Sequence, residues 1–222
     1  MKSKLIALAL APMLISTPAK AATVLDPVND FLPSFVGSYS ADLDVTSFSV
    51  DYNAATQTFL LGASLAGPVN LSTAGLYVIG VNTGTGTLAP FAGIGEPNVT
   101  FNQAIAIQKN GSATIGQTAL PTGSFTLVGN VLTGTVPLSL LPSTGAAPAN
   151  YGFNLWPRTG LGNNNQITDF APQNALLTVA AVPEVGTWAM LLIGLGGIAF
   201  SLRRMKTAAT RTPSTKAKIG FA

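Results

Sequence analysis

Between residues 22 and 182 the apolar side chains never settle into the three-and-four spacing of a helix. They come in short runs bounded by glycine, asparagine, threonine or proline. Such runs are strand-sized, and several are separated by turn chemistry that brings consecutive strands back antiparallel. Residues 45–50 and 58–61 flank a polar turn at 51–53, and residues 76–81 lead into a Gly- and Thr-rich loop at 82–86. Residues 105–107 and 113–115 enclose Lys109, Asn110 and Gly111. Residues 125–128 and 131–133 enclose Gly129 and Asn130, with glycine in the first central position of a tight two-residue hairpin. Adding 151–156 and 176–182 gives about eight to ten short strands. A chain of that kind hides its apolar faces by packing two sheets together. The expected fold class is all-β, an antiparallel β-sandwich. No segment recurs at a fixed period of about 20 to 50 residues, which argues against a solenoid or propeller, and the scattered threonines read as strand formers.

The 222-residue chain contains no cysteine and no histidine. The fold therefore relies on burial, which suffices for a body of about 160 residues. A Ser-His-Asp triad, a Cys-His pair and an imidazole-bound zinc are all excluded from this chain alone. Paired carboxylates remain the one familiar catalytic route, yet their separation is not readable from sequence. The expectation is a protein that is not an enzyme.

Charge is segregated. Of 11 basic residues, Lys2, Lys4 and Lys20 lie at the start, six lie at or beyond Arg203, and only Lys109 and Arg158 fall between. Against those two stand Asp26, Asp30, Asp42, Asp44, Asp51, Glu96 and Asp169, so residues 22–182 carry a net charge of −5. Outside the two terminal segments no basic patch exists for a nucleic acid, and none is expected as a partner.

Five of the seven acids fall within 26 residues, from Asp26 to Asp51. Hard carboxylate oxygens on loops are what calcium requires, so Asp26, Asp30, Asp42 and Asp44 are candidate calcium ligands. The run lacks the Asp-x-Asp-x-Asp-Gly loop of helix-loop-helix calcium sites. If Asp42 and Asp44 lie in a strand they share one face, and the competing reading is solvated carboxylates at turns and strand edges.

Trp156 and Arg158 form a second candidate patch, because an exposed indole beside a guanidinium can stack on and hydrogen-bond a sugar ring. The competing reading follows from alternation: Tyr151, Phe153 and Leu155 point one way along a strand, and Trp156 steps into the opposite layer as core or edge cover.

The two ends look like addresses. Lys2 and Lys4 precede an apolar stretch at 5–15, and Ala19 and Ala21 supply the small residues that signal peptidase requires, so residues 1–21 read as a signal peptide. Near the other end, Pro183 and Glu184 precede Trp188 and an apolar run closed by Arg203 and Arg204. The 18 residues at 185–202 carry no charge. As a helix they measure about 27 Å, enough to cross a bilayer's hydrocarbon core when the ends adapt. Basic residues beside a span stay on the cytoplasmic side, which places the body outside. Residues 207–222 are basic, polar and unpatterned, and are expected to be disordered.

Pro183, Glu184, Trp188, Ala189 and Met190, followed by the apolar run and the arginine pair, resemble a PEP-CTERM sorting signal. The variety is the Pro-Glu-x-x-x-Trp-Ala-Met one, which also carries the label ice-binding protein C-terminal domain. The resemblance covers about a tenth of the chain. It implies recognition by an exosortase, a membrane-embedded transpeptidase-like enzyme of exopolysaccharide-producing bacteria, with cleavage near Pro183 and Glu184. Val185 departs from the commonest version, which has a second proline there, and 18 residues follow Arg204 where such signals usually end.

The organisation expected is a signal peptide at 1–21, an exported β-sandwich at 22–182, a sorting signal at 183–206 and a tail at 207–222. Its expected partners are signal peptidase, an exosortase-like enzyme, membrane lipid and extracellular polysaccharide. Two functions follow. One is a non-enzymatic cell-envelope or extracellular-matrix protein; the other is a carbohydrate- or calcium-binding module held by a permanent single-span anchor.

Overall fold

Eleven strands in two antiparallel sheets make up the described part of the chain. The structure is a computed structural model, and it describes residues 21–179. The first sheet runs β1 (Ala22–Leu25), β2 (Val45–Asn53), β3 (Thr58–Leu65), β9 (Val131–Pro137) and β8 (Phe125–Val128). The second runs β11 (Leu177–Thr178), β10 (Gly152–Arg158), β4 (Leu76–Asn82), β5 (Gln103–Gln108), β6 (Ala113–Ile115) and β7 (Thr118–Ala119). The β-sandwich expected from the sequence is the fold observed.

Local chemistry explains the hairpins. Val128 pairs with Val131 across Gly129, whose φ is 61°. Asn130 keeps a negative φ, so the turn has the one left-handed position that a first-position glycine supplies. The β2–β3 connection differs from expectation. The ladder continues through Asn53, paired with Thr58, and the chain reverses over residues 54–57. The Asn53 carboxamide oxygen accepts the N–H groups of Ala55 (3.0 Å) and Thr56 (3.1 Å), so asparagine closes the turn from its first position instead of sitting at its centre.

The inner faces make the main core. Phe48, Val50, Phe59, Leu61, Leu132 and Val136 of the first sheet meet Tyr77, Ile79, Ile105, Ile107, Phe153 and Leu155 of the second. The outer faces differ. Along β9, exposed and buried positions alternate, as in a sheet with one face to water. Strands β4 and β10 are buried on both faces, because loop residues Leu32, Phe35, Phe91, Val99, Ile167 and Phe170 cover Leu76, Val78 and Trp156. The unbroken apolar run of β4 reflects that double burial. Gly80 leaves the room Trp156 needs: a Cβ there would stand 2.3 Å from the indole ring.

Among the described residues no helix is long and apolar enough to cross a membrane. Residues 1–20 of the leader with Ala19, the span at 185–202, the sorting residues Pro183, Glu184, Trp188, Arg203 and Arg204, and the tail at 207–222 lie outside the described residues.

Candidate metal centre

The covering loops bring together acids that are far apart in sequence. Strand β1 pairs with β2, and the Asp26 N–H donates to the Thr46 carbonyl at 3.0 Å, which sets Asp26 beside the start of β2. Asp30 follows on the next loop, after Asn29 in a left-handed conformation with φ 65°. The Asn29 N–H donates to Asp44 Oδ2 at 2.8 Å, tying that loop to the residue just before β2.

Asp169 arrives from the opposite direction. Its segment is held along β10 by bridges joining Arg158 to Ile167 and Leu155 to Ala171. The Thr168 hydroxyl adds a bond to the Leu43 carbonyl (2.6 Å), and the Leu32 N–H donates to the Thr168 carbonyl (2.9 Å). The Asp169 carboxylate then accepts the Val45 N–H at 2.8 Å and the Phe170 N–H at 2.7 Å.

Carboxylate oxygens of Asp26, Asp30 and Asp169 consequently lie within 4.8 Å of one another. Asp44 and Asp169 are each 1% exposed. Asp26 Oδ2, Asp30 Oδ1 and Asp44 Oδ1 are buried and have no hydrogen-bond partner among the described residues. Asp30 Oδ2 accepts from Nε2 of Gln173 at 2.8 Å.

The electrostatics follow from burial and like charge. Burial, followed by the neighbouring charges of Asp169 and Asp30, raises the Asp26 pKa to about 8. Burial raises that of Asp169 to about 7 despite its two backbone donors, with Asp30 and Asp44 adding to the rise. Asp30 and Asp44 are also raised, chiefly by burial, and the charge of Asp30 contributes at Asp44. Without a counter-cation, these groups resist ionising together.

Asp42 stands elsewhere. It lies within a 3-10 turn, Ala41–Leu43, while Asp44 follows in extended backbone, so the two do not share a strand face. Its carboxylate meets Lys109 Nζ at 2.7 Å, the Ser40 hydroxyl at 2.5 Å and the Asn70 N–H at 2.9 Å. Burial alone would raise its pKa, but these donors outweigh burial and hold it below the ordinary value. The grouping of Asp42 with Asp26, Asp30 and Asp44 is therefore corrected: tertiary pairing with Lys109 takes Asp42 out, and Asp169 takes its place. Asp42 and Asp44 are buried rather than solvated, whereas Asp26 and Asp30 are half-buried.

Asp169 carried a sequence signal. It is a lone acid between Thr168 and the apolar pair Phe170 and Ala171, just after a polar loop. An acid flanked in that way marks a buried position, though not its partners.

Arg158 and Trp156 sit on the covered face. Arg158 donates to the carbonyls of Gly160 and Asn163, the latter at 2.9 Å, and burial lowers its pKa. Trp156 is 2% exposed and packs edge-on to Phe91, ring centroids 5.0 Å apart, with Phe101 at 5.1 Å. A cleft of about 350 Å³ opens beside them, lined by Val78, Pro90, Phe91, Phe101 and Leu161. The rings serve the packing of this layer, as the alternation at 151–156 anticipates. Ala21 is half-buried just before β1.

These features define an antiparallel β-sandwich whose loop-covered face holds a partly buried carboxylate cluster. No protein-family model, curated protein or solved structure matches the chain.

Proposed function

We propose that this chain is a non-enzymatic exported protein of the cell envelope or extracellular matrix, sorted by its C-terminal signal and associated with exopolysaccharide. The observation that carries this reading is the order of parts at 183–206: Pro183 and Glu184, then Trp188, then an uncharged apolar run, then Arg203 and Arg204. Exosortase-type processing near Pro183 and Glu184 would follow export led by residues 1–21. The absence of histidine and cysteine supports a role without chemistry of its own.

The open face of the first sheet supports the polysaccharide half of the proposal. Ser49, Ser124, Thr126, Thr133 and Thr135 line a shallow groove of about 410 Å³. Hydroxyl-bearing strands of this kind suit contact with hydrated, neutral sugar chains. Mass spectrometry of the C-terminus of the mature protein, isolated from cells that express an exosortase, tests the reading. An end between residues 183 and 186 is expected; an intact Ala222 would replace sorting with a permanent anchor.

A further inference from the structure

We infer that Asp26, Asp30 and Asp169, with Asp44 beside them, form a structural binding site for calcium that pins the loop-covered layer of the sandwich to the start of its first sheet.

Three independent features point to a cation. The first is charge balance. Among the described residues the basic side chains are Lys109 and Arg158. Lys109 is bound to Asp42, with further bonds from its Nζ to the Asn70 carbonyl and the Thr73 hydroxyl at 3.0 and 2.8 Å. Arg158 is bound to carbonyls. Neither answers the carboxylates of the cluster.

The second is the unpaired oxygen atoms. Asp44 is almost wholly buried, accepts the Asn29 N–H through one carboxylate oxygen, feels the charge of Asp30, and keeps its other oxygen without a donor among the described residues. Asp26 and Asp30 each present another buried oxygen without one. A buried carboxylate oxygen that meets neither a donor nor a cation is costly, and the cost grows when several converge.

The third is size and chemistry. Oxygens bound to one calcium ion at about 2.3–2.6 Å stand at most about 5 Å apart, and the ligand atoms here lie within 4.8 Å of one another. A chain with no histidine or cysteine offers oxygen only, which selects a hard cation. Magnesium demands near-ideal octahedral geometry and keeps most of its waters, whereas calcium tolerates an irregular set of several carboxylates.

The ligands join segments with no covalent reason to stay together: the end of β1, the loop after it, the approach to β2 and the strap along β10. The contact of Asp169 with Val45 alone spans 124 residues. A bound ion would make their association a single event. Cation binding and C-terminal processing are read by different measurements, so either can fail alone.

The test is titration calorimetry and thermal unfolding of the full chain in mild detergent, stripped with chelator and then given calcium or magnesium chloride. The expected result is one calcium per chain, a melting temperature that rises saturably, and a smaller response to magnesium. Sites of this kind outside the cell bind with dissociation constants of about 0.1–1 mM, so about 10 mM calcium suffices. Asp26→Asn is expected to weaken calcium binding at least about tenfold, comparable to the loss on disturbing a metal ligand's surroundings. Asp169→Asn should do the same. Because Asp169 also holds backbone N–H groups, Asp26→Asn is the decisive variant: its side-chain partner is Asp169 within the cluster, and among the described residues no backbone N–H donates to the Asp26 carboxylate. Asp42→Asn should leave calcium affinity within about twofold. A folded protein that shows neither heat nor a melting shift at about 10 mM calcium overturns the site. So does an infrared band of protonated carboxyl that persists in calcium, which would assign the cluster to a proton shared between Asp26 and Asp169.

Discussion

Asp42 and Asp44 are two residues apart and almost equally buried, yet they belong to opposite electrostatic environments. Asp42 faces Lys109 and is fully supplied with donors. Asp44 faces other carboxylates and keeps an unpaired oxygen. The end of one short turn, Ala41–Leu43, takes the chain from a neutralised pair at Asp42 to an excess of negative charge at Asp44. Burial depth therefore says little about what an acid contributes; the sign depends on what the fold places opposite it.

The sharpest way to break the contrast is to remove Lys109. Lys109→Met leaves Asp42 charged, buried and unanswered, and should destabilise the domain by about 3–5 kcal/mol in chemical denaturation. It should not alter the calcium response.

The pH dependence of the two regions should have opposite signs. Asp26 and Asp169 hold protons in the folded chain up to about pH 8 and about pH 7, against an ordinary value of 3.8. The folded state therefore binds more protons than the unfolded chain across that window. Their favourable contribution is complete below about pH 4, falls as pH rises and is gone by about pH 8. Asp42, held below its ordinary value, stabilises above that value and loses its contribution as pH falls. Denaturation in chelator from pH 4 to pH 9 should show the alkaline loss of stability. Saturating calcium should abolish it, because a bound cation favours the ionised carboxylates.

The smallest effect is the most discriminating. Asp→Asn in the two regions should move stability in opposite directions in chelator at pH 8. Asp42→Asn strands Lys109 and destabilises. Asp26→Asn relieves repulsion and stabilises by about 1 kcal/mol, the scale of one pKa unit discounted for the partial exposure of the group. Paired denaturation curves read both signs.

Much of the fold was legible in the sequence because it is set locally. Gly129 marked the β8–β9 hairpin, and alternation along 151–156 separated Phe153 and Leu155 from Trp156, which now fill different layers. The turn after β2 was displaced because the Asn53 side chain closes it from one side, a choice that composition alone does not reveal. The covering layer was not legible, since Leu32, Phe91 and Phe170 come from loops without periodicity. The cluster was half legible. Asp26 and Asp30 stand near each other in the chain, but Asp169 joins them only through the strap along β10, and Asp42 leaves them only because Lys109 folds over from the turn after β5. Residue type suggested the chemistry; long-range pairing decided which residues carry it.

The most direct measurement is the melting temperature of the full chain at pH 8, first in chelator and then in about 10 mM calcium. A calcium-dependent rise that Asp26→Asn removes and Asp42→Asn retains is the predicted result. An unchanged melting temperature, or an equal rise in the Asp26→Asn variant, would contradict a cation held by Asp26, Asp30 and Asp169.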